Sequence, residues 1–115
     1  MVILDAGIPL IPPSVNTYWR SNGKRRFITP KGIKFKKDMG YFVPYVMSDK
    51  RLRLDVELCY PDKRTRDLDN SLKSLCDSLV GNGLCLDDEQ FDELIIKRGE
   101  IVKGGIIKIK VTELI

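Results

Sequence analysis

Strict alternation of apolar and mostly charged residues across positions 51–60 is the feature that most restricts the fold of this sequence. Side chains along a β-strand point to opposite faces in turn, so the pattern predicts a strand with one buried and one solvated face. Pro61 has no N–H for a further ladder hydrogen bond, and the strand is expected to end there. The apolar positions are Leu52, Leu54, Val56, Leu58 and Tyr60.

Two helices are predicted, one on each side of this strand in the sequence. The first begins at Thr29-Pro30, because a threonine side chain can cap free backbone N–H groups and proline fits the first helical position. Gly40 and Pro44 weaken its far end. The second runs from about Asp67 to Val80 along a leucine stripe and ends at Gly81-Asn82-Gly83. The stripe consists of Leu68, Leu72, Leu75 and Leu79.

Further β-rich segments complete the predicted order of elements. Alternation over Val2–Leu10 predicts a first strand, and the polar, aromatic and basic stretch Asn16–Arg26 predicts a loop or short hairpin. Leu94–Val102 and Ile106–Leu114 predict two strands joined as a hairpin across Lys103-Gly104-Gly105. The chain is therefore predicted to form one α+β (mixed α/β) domain over residues 1–115, with four strands and two main helices.

The lack of histidine excludes several catalytic mechanisms. None occurs among the 115 residues, which rules out a Ser-His-Asp triad, a Cys-His dyad, a histidine-ligated zinc and a histidine general base. Cys59, Cys76 and Cys85 are odd in number and well separated, which indicates buried reduced thiols and a cytoplasmic location. The N-terminal segment carries Asp5 and no basic region, so neither a signal peptide nor a membrane span is expected.

The net charge of +4 is the small difference between opposed patches. Eight basic residues and no acidic one lie between Arg20 and Lys37, whereas five acids crowd into the seven residues Asp87–Glu93. Aromatic residues beside and within the basic stretch could stack on bases, which favours nucleic-acid binding over a merely solvated face. The candidate DNA-binding residues are Tyr18, Trp19, Arg20, Lys24, Arg25, Arg26, Lys63, Arg64 and Arg66.

Acidic residues near the start of the second helix are candidates for a metal site. Asp67 is predicted to be the N-cap residue or the one before it, with Asp69 in the first turn. One interpretation is a helix cap with an i,i+4 ion pair from Asp69 to Lys73. The alternative is that both carboxylates, with Asn70 nearby, hold a hard divalent cation while Lys73 faces a bound phosphate. The acidic patch would complete that set, although its spacing fits a solvated loop equally well; its candidate ligands are Asp87 and Asp88.

Several motifs stand together in an order that is typical of one known family, along nearly the whole chain. They are Pro12-Pro13-Ser14 followed by Asn16, Tyr18, Trp19 and Arg20; Pro61-Asp62-Lys63-Arg64-Thr65-Arg66-Asp67-Leu68-Asp69-Asn70; Lys73; Gly83-Leu84-Cys85-Leu86-Asp87-Asp88-Glu89-Gln90; and Lys97–Thr112 with Lys103-Gly104-Gly105. This combination resembles the RusA family of Holliday junction resolvases. The resemblance implies a four-stranded mixed sheet and a homodimeric, Mg²⁺-dependent endonuclease that nicks two opposed strands of a four-way junction during recombination and repair, with Mn²⁺ as a possible substitute.

The resemblance also implies roles for individual residues. Asp67, Asp69 and Asp88 would bind the metal, Lys73 would be catalytic, and Asp87 and Asn70 would be secondary members of the site. Two alternatives stay open: a non-catalytic nucleic-acid-binding module, and a metal-dependent nuclease that acts on other branched or duplex DNA. Neither a membrane partner nor a small-molecule organic cofactor is expected.

Overall fold

One four-stranded sheet organises the computed structural model of the protein, which describes residues 1–115. The strands are β1 (Val2–Ile8), β2 (Trp19–Asn22), β3 (Arg25–Ile28), β4 (Leu52–Cys59), β5 (Phe91–Arg98) and β6 (Ile106–Glu113). The helices are α1 (Val15–Tyr18), α2 (Pro30–Met39) and α3 (Asp69–Gly81), with a 3₁₀ turn at Asp88–Gln90. The sheet order is β1-β6-β4-β5, in which only β4 and β5 are parallel, and β2 and β3 form a separate hairpin.

The alternating segment at positions 51–60 forms β4, which has one buried face, as the pattern predicts. It lies inside the sheet, between β6 and β5. Its apolar side chains are 0–3% exposed, and Leu54 and Val56 stand opposite Val111 and Ile109 of β6. The core lies on this face, where α2 and α3 pack together and share one hydrophobic cluster with the sheet. The opposite face of the sheet is lined by ion pairs, such as those of Glu57 with lysines of β5 and β6.

The predicted hairpin between the last two strands is wrong. β5 and β6 are not neighbours, because β4 lies between them and pairs in parallel with β5 and antiparallel with β6. The chain leaving β5 passes the end of β4, where the Val102 N–H donates to the Tyr60 carbonyl over 2.9 Å. Gly104 and Gly105 then turn it into β6 with φ of 82° and 79°, a conformation that favours glycine. The glycine pair therefore forms a turn, as predicted, but this turn ends a connection that passes β4 and does not join neighbouring strands.

The stretch predicted as a loop or short hairpin is the β2–β3 hairpin preceded by the single turn of α1. Gly23, with φ of 63°, provides its turn. The predicted start of α2 is confirmed, since the Thr29 hydroxyl accepts a 3.1 Å hydrogen bond from the Gly32 N–H. The hairpin is anchored to α3 by Tyr18, whose buried hydroxyl donates to Asp77 over 2.5 Å.

The predicted fold class is confirmed: a mixed α/β protein with one four-stranded mixed sheet and two main helices. The second main helix begins two residues later than predicted, at Asp69, and extends to Gly81. No helix is both long enough and apolar enough to cross a membrane.

Candidate active site

The first turn of α3 presents the carboxylates that the sequence singles out. The N-cap residue is Leu68, which has no side-chain cap, so Asp67 lies one residue before the cap and Asp69 is the first helical residue. Neither aspartate belongs to an ion pair, and the pair predicted by the simpler interpretation, from Asp69 to Lys73, does not form. Near the start of this helix, therefore, three exposed charged side chains have no partner that neutralises them: Asp67, Asp69 and Lys73.

The acidic patch at 87–93 divides into paired and unpaired acids. Arg51 holds Glu89 at 3.1 Å and Asp92 at 2.5 Å, and Arg53 lies 3.5 Å from Glu93. Asp87 and Asp88, in contrast, belong to no ion pair and face the solvent. The structure thus separates the two predicted candidate ligands from acids that stabilise the fold.

Gln90 fixes the position of this acidic turn, a role that the sequence interpretation did not include. Its buried carboxamide accepts from the Leu86 and Asp87 N–H groups and donates to the Ser48 and Lys50 carbonyls, each over 2.8 Å. Asp87 and Gln90 form a reciprocal capping box. The spacing of an N-cap aspartate three residues before a glutamine is the sequence signal that could have revealed it.

Three of the predicted site residues line one cavity of about 230 Å³. Asp69 and Lys73 reach it from α3 and Asp88 from the 3₁₀ turn, while Cys76 and Leu94 contribute to its apolar side. The β4–α3–β5 crossover accounts for this arrangement, because a parallel strand pair requires a long connection and that connection carries the helix over the sheet. The helix therefore lies over the sheet, and its Asp69 and Lys73 reach the same cavity as Asp88 and Leu94.

Asp67 and Asn70 line a second cavity, of about 280 Å³, next to the first. No three acidic or cysteine side chains in the structure converge into a group able to hold a metal ion. The arrangement thus brings together Asp69, Asp88 and Lys73, and leaves Asp67 on the neighbouring side of the helix start.

The neighbouring Asp87 raises the pKa of Asp88. The hydrogen bond that it shares with Asp87 is the largest cause, followed by burial and by repulsion from Asp87, and Lys73 acts in the opposite direction. Two carboxylates held this close favour a proton or a cation between them. Burial and the nearby Asp88 also raise the pKa of the Cys76 thiol to about 12, so this cysteine is neutral and inert at physiological pH.

The donor chemistry fits a hard divalent cation such as Mg²⁺, which prefers carboxylate oxygens and retains several waters. Asp69 and Asp88 face one cavity, and the crowded carboxylates of Asp87 and Asp88 would be relieved by positive charge. The fit is incomplete at Asp67, because in this conformation that residue lines the neighbouring cavity.

The predicted DNA-binding residues occupy two surfaces. The first surface is the β2–β3 hairpin, where Trp19 is half-buried and the Arg26 guanidinium lies 4.8 Å from the centroid of the indole ring. Tyr18, next to it, is fully buried and anchors the hairpin to α3. The remaining basic residues of the hairpin, Arg20, Lys24 and Arg25, are exposed.

The second surface is the loop before α3. Arg64 and Arg66 both bond Asp62, at 3.2 and 2.7 Å, and this keeps the pKa of Asp62 well below its ordinary value. Lys63 is exposed beside them. The loop therefore presents positive charge directly before the aspartates of α3.

Comparison with known proteins places most of the chain within one family. The family model described as endodeoxyribonuclease RusA matches residues 9–112. A crossover junction endodeoxyribonuclease of Enterobacteria phage HK97 is 48% identical over 107 residues, which cover 90% of this chain and 89% of the relative. The corresponding proteins of Escherichia coli strain K12 and Enterobacteria phage 82 are 33% and 34% identical with the same coverage.

The chain therefore belongs to the RusA family of endodeoxyribonucleases. The prediction of an enzyme of this family is confirmed.

Proposed function

We propose that this protein resolves Holliday junctions by metal-dependent hydrolysis of DNA, as part of recombination and repair. The proposal rests on the cavity that Asp69, Lys73 and Asp88 share. No ion pair within the protein neutralises any of these three charged side chains. Family membership supports the reaction class, and the relatives are named for crossover junctions.

Asp69 and Asp88, completed by Asp67, would hold Mg²⁺ or Mn²⁺, with Asp87 and Asn70 as secondary members of the site. When bound, the ion would supply a Lewis acid that offsets phosphodiester charge and activates water for attack. The absence of histidine is consistent with this chemistry, since the carboxylates need no imidazole to hold a hard ion.

Basic residues of the chain would bind and orient the DNA. Lys73 lines the same cavity as Asp69 and Asp88, so its ammonium group can stabilise negative charge that develops on the phosphate. The basic surfaces formed by the β2–β3 hairpin and the loop before α3 would hold the arms of the junction through phosphate contacts.

Symmetric resolution needs two cuts, and each protomer carries one candidate site, so we propose a homodimer. A single chain has a mass of 13.1 kDa, and the active species would sediment at twice that mass. The three buried free thiols support a reducing, cytoplasmic location.

The test is cleavage of a synthetic four-way junction by Asp69→Asn in the presence of Mg²⁺. This change removes one charge from the site, and we expect the cleavage rate to fall by roughly 100-fold or more. Binding of the junction in EDTA should be preserved, because the basic surfaces are elsewhere. Asp49→Asn is the matched control, since Asp49 is an exposed acid outside the site.

Cleavage by Asp69→Asn at the rate of the unmodified protein would refute the metal site. Junction binding without cleavage by the unmodified protein in Mg²⁺ or Mn²⁺ would identify a non-catalytic binding module. Equal cleavage of junction, flap and duplex substrates would identify a nuclease with the same site and a broader substrate.

A further inference from the structure

The second cavity, on the Asp67 side of the start of α3, contains an unexplained buried polar group. Tyr60, at the end of β4, lines this cavity and is 3% exposed. Its hydroxyl oxygen is the only buried side-chain oxygen or nitrogen in the structure that lacks a hydrogen-bond partner. Burial of an unpaired hydroxyl costs free energy, and such groups in folded proteins call for a specific explanation.

The ring of Tyr60 lies against two arginine side chains. The Arg66 and Arg98 guanidinium groups lie 4.9 and 5.3 Å from its ring centroid. Arg98 donates to the Arg66 carbonyl over 2.6 Å, and Arg66 bonds Asp62 over 2.7 Å. Solvent does not reach the hydroxyl in the free protein, so a partner in the cavity that Tyr60 lines would bond it only after the side chain turns toward the open space.

The other walls of the cavity combine neutral hydrogen-bonding groups with apolar surface. Asn70 brings a carboxamide that makes no hydrogen bond in the structure, and Ser14 contributes a hydroxyl. Ile11 and Pro12 form an apolar side. A carboxamide offers a donor and an acceptor together, the combination that reads the edge of a base in two hydrogen bonds.

This chemistry suits a neutral planar group better than a phosphate. The single cation of the cavity, Arg66, is already bonded to Asp62, and the carboxylate of Asp67 would repel an anion. A nucleobase carries no charge, presents apolar faces to Ile11 and Pro12, and has donors and acceptors at its edge. Because Asp67 lines this cavity beside the candidate active site, a base held here would belong to a nucleotide close to the scissile phosphate.

We propose that the cavity receives one unstacked DNA base next to the cleavage position and that Tyr60 and Asn70 read its edge. The proposal rests on the proposed nuclease function and adds a determinant of where the strand is cut. A base can enter only after it leaves the helical stack, which costs least where pairing is already disturbed. Branch points would therefore be favoured substrates, and the identity of the captured base would set the preferred cleavage sequence.

The test uses four-way junctions with a single 2-aminopurine at successive positions around the branch point, bound in EDTA so that no strand is cut. Emission of this base rises when it unstacks, and we expect a rise at one position on binding of the unmodified protein. Tyr60→Phe removes only the unpaired hydroxyl, so the protein should fold with equal or higher stability. The captured fraction should nevertheless fall, with the capture equilibrium weakened about two- to tenfold, the effect of losing one hydrogen bond.

Tyr45→Phe is the matched control, because Tyr45 is 79% exposed and lies outside this cavity. Asn70→Ala is the second variant and should reduce capture even if Tyr60→Phe is poorly folded. Absence of an emission change at every position would overturn the proposal, as would unchanged capture in both cavity variants. A loss of affinity caused by a methylphosphonate at that nucleotide, but not by an abasic site, would assign the cavity to a phosphate and overturn it equally.

The outcomes separate this inference from the proposed function. Cleavage in Mg²⁺ without any emission change would leave the nuclease intact and refute the base pocket. Capture of the base without cleavage in any metal would support the pocket and refute the nuclease.

Discussion

Tyr18 and Asp77 connect the basic hairpin to α3, and removing the Tyr18 hydroxyl should measurably destabilise the protein. The hydroxyl is buried and donates over 2.5 Å to a carboxylate that Lys36 also approaches, at 3.5 Å. A hydrogen bond to a charged group contributes roughly 1.5–3 kcal/mol. Asp77 keeps 34% of its side chain exposed and can recover water in the variant. After that discount, we expect Tyr18→Phe to lose about 1–2 kcal/mol of unfolding free energy.

Thermal and urea denaturation would measure this loss. For a domain of this size the expected change in Tm is about 4–8 °C, at unchanged m-value. Tyr45→Phe, on the exposed surface, should change neither quantity. A Tm for Tyr18→Phe within about 1 °C of the unmodified protein would refute the conclusion that this bond anchors the hairpin.

The dependence of this loss on pH gives an independent check. Burial and the hydrogen bond to Asp77 raise the pKa of Tyr18 above its ordinary value near 10. The stabilisation from neutral Tyr18 is therefore fully present below pH 10 and is lost as the pH rises toward the folded-state pKa. Since phenylalanine does not ionise, the stability difference between the two proteins should be constant from pH 7 to 9 and should shrink above pH 10.

Three further predictions concern the site and its surroundings. Lys73→Met should slow junction cleavage by roughly 100-fold while changing binding in EDTA by less than about threefold, because one phosphate contact is lost; equal cleavage rates would remove Lys73 from the site. The double variant Arg25→Ala/Arg26→Ala should reduce the slope of log K against log[salt] for junction binding by about 1–2, and an unchanged slope would show that the hairpin does not contact DNA. Cys76, with a pKa raised to about 12, should resist a thiol reagent at pH 8 in the folded protein and react in denaturant; rapid labelling of the folded state would contradict its burial.

The sequence predicted the positions of helices and strands more reliably than it predicted which strands pair in the sheet. β4 and α3 have strong periodic patterns, and both formed nearly where the patterns indicated, because burial of one face decides local structure. The glycine pair before β6 correctly indicated a turn, but a turn does not determine which strand lies beside the next one. β4 is paired along both edges, with β5 and with β6. Its apolar alternation indicates which face is buried and gives no information about which strands lie beside it.

The candidate site shows the same division. The acidic residues were predicted by type and spacing, but the separation of Asp87 and Asp88 from the acids that bind Arg51 and Arg53 required three-dimensional contacts. Tyr60 was predicted only as a core residue of β4, because alternation indicates that a side chain is buried and gives no information about the partner of its hydroxyl. Whether a buried polar group has a hydrogen-bond partner is decided only in the assembled fold.

The position of β6 has a consequence for the order in which the protein folds. This strand occupies residues 106–113, yet it lies between β1 and β4 and joins them into one sheet. The pairing connects distant parts of the chain, as in the 2.8 Å hydrogen bond from the Glu113 N–H to the Met1 carbonyl, and such non-local contacts form slowly. During synthesis the growing chain would therefore carry every proposed site residue well before β1 has a partner strand. Until residues 106–113 leave the ribosome, the proposed site residues have been synthesised but the sheet lacks the strand that joins β1 to β4.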